Sequence, residues 1–254
     1  MPVQSFWSHF NGLIGLLLIL VPFILVQMAL HREIQLFLIR LTRKPSLAII
    51  LFSIIFLPGV FLHETSHLLM ARLTGVRTGR FSLIPRPLPN GQLQLGFVET
   101  TPSDWVRSSL IGAAPLIVGG GSVAVLAIFG LRLNTLWGLL LKGEWTTSWE
   151  TLSLLPKLPL AWLWFYLIFV ISSTMMPSRS DRHAWTPLVI LLVLLTLVAI
   201  LAGAGPWMME RMSPILNNLF QALALIFGLS LLVHLLFLIP AASINWMMVR
   251  ITRR

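Results

Sequence analysis

Apolar runs long enough to cross a bilayer recur from one end of this 254-residue sequence to the other. They constrain the fold more than any other feature. Six candidate spans can be marked, at about 12–30, 47–75, 106–131, 158–176, 186–204 and 215–247. The chain is 57% hydrophobic and only 10% charged, whereas a soluble globule has roughly a quarter charged residues. The expected architecture is an all-α polytopic membrane protein of about six transmembrane helices. It forms one transmembrane domain over 1–254, with no room for a large soluble unit.

The first run lacks a basic segment before it and exceeds a signal-peptide core in length, so it reads as a retained span. Between spans one and two, His31 to Lys44 alternates apolar and basic residues and reads as an interfacial amphipathic helix. Pro58-Gly59 marks a candidate kink in span two. Residues 76–104 have a different pattern. Val76 to Ile84 is strand-like, Pro85, Pro87 and Pro89 break helices, Asn90-Gly91 signals a turn, and Gln92 to Val98 alternates polar and apolar. A small β-hairpin is therefore expected between spans two and three. Segments 132–157 and 205–214 read as ordinary connections.

The net charge of +10 sits mainly in short loops and at the C-terminus, where basic residues hold helices in place and face anionic lipid. The lipid bilayer is thus one expected partner. No basic stripe interleaved with aromatics is present, so nucleic acid is not expected. The absence of cysteine excludes disulfides and thiolate metal ligands.

Ionisable residues inside apolar spans are costly and usually mark function. Span two carries His63-Glu64-Thr65-Ser66-His67, an H-E-x-x-H pattern. On a helix, positions i and i+4 share a face, so His63 and His67 can address one ion with Glu64 beside them. A catalytic zinc site uses three protein ligands and leaves one position open. Glu64 is then the candidate general base. Asp181 and His183, after span four, are both candidates for the third ligand. His234, alone in span six, reads as a hydrogen-bonding group between helices. His9, His31, Glu144 and Glu150 read as surface residues. Gly112-Ala113-Ala114-Pro115 and Gly119-Gly120-Gly121 suit close packing of span three.

These residues together resemble the site-2 protease (M50) family of intramembrane zinc metalloproteases. Phe61-Leu62-His63-Glu64-Thr65-Ser66-His67 is similar to that family's apolar helix with H-E-x-x-H. Gly112-Ala113-Ala114-Pro115-Leu116 resembles a small-residue and proline motif of its neighbouring helix. Thr174-Met175-Met176-Pro177-Ser178-Arg179-Ser180-Asp181 looks like its asparagine–proline–aspartate segment, although Thr174 replaces asparagine, the spacing is one residue shorter, and Arg182 replaces glycine.

The resemblance covers about 47–185 as a metalloprotease-like core, with 1–46 and 186–254 as additional helices. It implies Zn2+ held by His63, His67 and Asp181, and Glu64 as the catalytic base. It also implies hydrolysis of peptide bonds in or near transmembrane segments of membrane-protein substrates. The expected setting is a multi-pass protein of a prokaryotic cell membrane. The hairpin would capture an unwound substrate by strand addition, with Gln92, Gln94, Gly112 and Pro115 as candidate substrate-binding residues.

Two rival readings come from other classes. One is a zinc-binding membrane protein without proteolysis, either an inactive relative or a sensor. The other is a transporter using the His–Glu cluster as an ion site. A transporter would show duplicated halves or paired broken helices, and the sequence has neither.

Overall fold

A computed structural model describes residues 10–87, 93–183 and 185–252. The described chain is dominated by helices: α1 (Asn11–Thr42), α2 (Pro45–Leu73), α3 (Trp105–Val125), α4 (Leu133–Leu141), α5 (Trp145–Leu154), α6 (Ala161–Thr174), α7 (Trp185–Ala199) and α8 (Ser213–Thr252). Several are long and apolar, as a multi-pass membrane protein requires. Between α2 and α3 lie four short strands, β1 (Thr78–Ser82), β2 (Arg86–Pro87), β3 (Leu93–Gln94) and β4 (Phe97–Thr100). β1 pairs antiparallel with β4, and β2 with β3. These are strands of the expected hairpin, with the ladder divided in two, while the turn predicted at Asn90-Gly91 lies outside the described residues.

Helix directions follow from their contacts. Arg43, in a left-handed conformation, ends α1, and Pro45 opens α2, so these two form a helical hairpin. His31 of α1 packs edge-on against Phe52 and Phe56 of α2. α2 and α6 run parallel: Tyr166 Oη donates to Ile55 O at 2.8 Å, and Gly59 lies against Val170 and Thr174. α3 is antiparallel to α6, with Gly119 against Met175 and Gly130 against Trp164. α8 is antiparallel to α6, with ring contacts from Phe169 to His234 and Phe237.

The first and last helices run parallel. Gly12 N donates to Asn217 Oδ1 at 2.7 Å, and Arg40 Nη1 donates to Asn245 Oδ1 at 2.7 Å. Phe23 meets Phe227 between them. In chain order, α1, α2, α3, α6 and α8 therefore alternate in direction. α7 lies within an excursion that departs from and returns to one side.

Several sequence expectations change. His31 to Lys44 is not a separate interfacial helix, because α1 continues through it to Thr42. His31 is not a surface residue: the phenylalanine rings of α2 cover it, and its Nε2 is buried without a partner. Segment 132–157 holds two short helices, and α5 with its following turn meets α6 at 91°. Segment 205–214 is helical rather than a plain connection, but Gly203, at φ 86°, kinks the path before it, so α7 and α8 stay separate helices as expected. Among the described residues, four helices meet the length and hydropathy of a span, or five if the bent pair counts as one.

Candidate metal centre

The centre is assembled from the C-terminal half of α2, the segment that follows α6 and the first turns of α3. α2 places His63 and His67 on one face, with Nε2 atoms 3.1 Å apart. The segment after α6 brings Asp181 to them: Oδ1 is 3.4 Å from His67 Nε2, and Oδ2 is 3.7 Å from His63 Nε2. Among the described residues, these three form the group able to hold an ion. His183 lines the same cavity but lies outside the group.

Both imidazoles are anchored from behind by backbone. His63 Nδ1 is 2.6 Å from Thr174 O, and His67 Nδ1 is 2.8 Å from Ile111 O. A carbonyl only accepts, so each Nδ1 carries a proton and donates it. In the neutral rings both Nε2 atoms are then lone-pair acceptors. Two such nitrogens and a carboxylate turned toward one point repel each other unless a cation lies among them. Tetrahedral ligation with metal–nitrogen bonds near 2.05 Å places two ligand nitrogens about 3.3 Å apart, close to the separation seen. The donor set therefore fits a metal ion.

The two anchoring carbonyls are available for local reasons. The last four carbonyls of a helix have no partner within it, and Thr174 is the last residue of α6. Ile111 lies inside α3, but Pro115 stands four residues later and has no N–H to offer. His67 takes the freed acceptor. Gly112 is needed beside it: a Cβ there would overlap the Asp181 carbonyl oxygen. The small-residue and proline motif thus both frees a carbonyl and admits the Asp181 backbone beside the histidines.

Burial works against ionisation of Asp181, but without a bound ion the imidazoles of His63 and His67, once protonated on Nε2 as well, outweigh it. They hold the carboxyl well below the usual carboxylate range. Ser178 N–H donates to Asp181 Oδ2 at 2.7 Å and also favours the anion. Asp181 is therefore anionic near neutrality.

Glu64 is buried next to the group and lines a cavity of about 1310 Å³. The bend between β3 and β4 covers it. A Cβ on Gly96 would sit 2.9 Å from Glu64 Cγ, so glycine permits this close cover. The cavity follows one face of α2 from His67 back to Pro45, about 33 Å at 1.5 Å per residue. His31 and Gln35 of α1 contribute to its wall.

The candidate substrate-binding residues separate. Gln94 and Gly112 line the cavity, and Gln94 Oε1 accepts from Arg86 Nε at 2.8 Å. Pro115 is fully buried, outside the cavity lining. Gln92 lies outside the described residues. The sequence reading missed Thr174 O, Ile111 O and Gly96. Only the Ile111–Pro115 spacing carried a readable signal.

No protein-family profile, curated protein or solved structure matches the chain.

Proposed function

We propose that this protein is an intramembrane zinc metalloprotease of the site-2 protease type, cutting peptide bonds in or near transmembrane segments of membrane-protein substrates. The observation that carries the reading is the convergence of His63, His67 and Asp181 beside Glu64, in a cavity that runs along a membrane-length helix. The resemblance of the H-E-x-x-H, Gly-Ala-Ala-Pro and Pro-to-Asp segments supports it. The crossing helices are taken to be α1, α2, α3, α6 and α8, five passes rather than six, because these five alternate in direction.

Zinc suits two imidazoles and one carboxylate with an open fourth position. When bound, it supplies a Lewis acid that polarises a carbonyl and acidifies a water. The chain supplies the remaining functions. Glu64 takes a proton from the attacking water and returns it to the leaving amine. Thr174 O and Ile111 O hold the ligand rings in orientation. The bend at Gly96 closes over Glu64 and limits access to it. An unwound substrate segment lies along the cavity beside β3 and β4, where strand addition aligns it with Glu64.

Glu64→Gln is the deciding variant. It keeps the side chain's shape and all three metal ligands but removes the base. The expected result is an unchanged zinc content and no cleavage of a model transmembrane substrate in detergent or proteoliposomes. Continued turnover in this variant would refute the general-base role. A wild type that binds zinc yet cleaves no substrate would favour the non-proteolytic zinc-binding reading.

A further inference from the structure

His63 is oriented through Thr174, the last residue of α6. A carbonyl at a helix end is a poor anchor unless the end itself is held, because that turn lacks its own ladder of hydrogen bonds. Two other helices hold it here. Gln27 Nε2 of α1 donates to Ser173 O at 2.6 Å. On the other side, Ser173 Oγ lies 2.9 Å from His234 Nε2 of α8. His234 Nδ1 is 2.7 Å from Ser230 O, which only accepts, so Nδ1 carries the proton. Ser173 Oγ–H therefore donates to His234 Nε2. The His234 ring is fully buried, edge-on to Phe23 and Phe169, each with centroids 5.2 Å from it. An imidazole retained at such a place is costly unless its hydrogen bonds are used.

We propose that His234, acting with Ser173 and Gln27, is a positioning residue of the metal centre. α1 and α8 grip the Ser173–Thr174 peptide from two sides, and Thr174 O passes that constraint to the His63 ring. The inference rests on the metal-site reading above. It gives a task to the helices outside 47–185, which run parallel and meet at both ends through Asn217 and Asn245. Displacing either helix would loosen the end of α6 and swing His63 Nε2 away from His67 and Asp181.

The test uses the full chain in detergent. Zn2+ affinity is measured by chelator competition, the absorption spectrum is recorded with Co2+, and the thermal midpoint is followed alongside. Ser173→Ala and His234→Phe are expected to weaken metal binding by about three- to tenfold, below the 10–100-fold typical of direct ligand supports. They should also shift the Co2+ bands, although His63, His67 and Asp181 are intact. His234→Gln retains an acceptor for Ser173 and should recover most of the affinity.

A lower thermal midpoint with wild-type affinity and spectrum would overturn the proposal, leaving a simple helix-to-helix bond. Equal weakening in His234→Phe and His234→Gln would overturn it too. If His234→Phe fails to fold, Ser173→Ala removes one hydroxyl only and carries the test. A wild type that binds no ion sinks the metal reading and this inference together. Binding that is equal in wild type and variants sinks this inference alone.

Discussion

Gly112→Ala tests the centre with a single methyl group far in sequence from every ligand. A Cβ at this position would overlap the Asp181 carbonyl oxygen and lie 3.0 Å from Asp181 C and 3.3 Å from its Cα. These are backbone atoms, so no side-chain rotation relieves the clash. Restoring ordinary contact at about 3.5–4 Å requires the Asp181 segment to retreat by roughly 1 Å. Metal–ligand distances tolerate only about 0.2 Å, so Asp181 should leave the coordination sphere. Structural zinc sites bind with about 10–16 kcal/mol, or roughly 3 kcal/mol per ligand over four ligands. The expected loss is about a hundredfold in zinc affinity.

The matched control is Gly121→Ala in the same helix, where a Cβ meets nothing within 4 Å. Both substitutions gain the same helix propensity, about 1 kcal/mol in alanine's favour. Propensity effects therefore cancel between them. Chelator competition on the purified variants, with thermal stability measured in parallel, gives the comparison. Wild-type zinc affinity in a folded Gly112→Ala protein would refute Asp181 as the third ligand.

Other consequences follow from the same geometry. Pro115→Ala returns an N–H four residues after Ile111, where it competes with His67 Nδ1 for the Ile111 carbonyl. Zinc affinity should fall by about tenfold, the low end for losing a ligand's outer partner because a carbonyl has two lone pairs. Unchanged affinity and an unchanged Co2+ spectrum would show that the proline does not free this acceptor. Zinc should also be released as pH falls. Protons compete with the ion for two imidazole nitrogens, which bind a metal only when unprotonated, so occupancy is expected to fall as pH drops below neutrality. Asp181, held below the usual carboxylate range, stays ionised in that window and adds no proton. Zinc occupancy measured against pH should fall with a slope approaching two protons. A fall confined to below about pH 4 would point to carboxylate rather than imidazole control.

Much of the helical framework was legible locally. A backbone in hydrocarbon has only itself to bond with, so a long apolar run dictates a helix wherever it lies. The turn residues at Asn90-Gly91 and the prolines before them predicted a break into strands for similar short-range reasons. The pairing of His63 with His67 is also local, since a 3.6-residue period puts i and i+4 side by side. The boundaries were harder to read. The basic residues near the end of α1 suggested a separate interfacial helix, yet Arg40 bonds Asn245 and Glu33 accepts from the same side chain. Contacts with a helix more than 200 residues away hold that turn in line.

The sequence by itself determined the long apolar helices, the strand region and the two histidines of the motif, because those depend on neighbours within a turn or two. Tertiary structure decided what completes the centre. Asp181 and His183 were equally eligible by local chemistry, and only the packing of α3 against the segment after α6, permitted by Gly112, brings the aspartate to the imidazoles. The anchors for His63 and His67 come from residues 111 and 44 positions away. The parallel course of α1 and α8 is likewise set by contacts between helices more than 200 residues apart. Hydropathy shows that a segment favours hydrocarbon but is the same for either direction of travel. Direction and convergence are properties of packing, and they are chosen only when the helices meet.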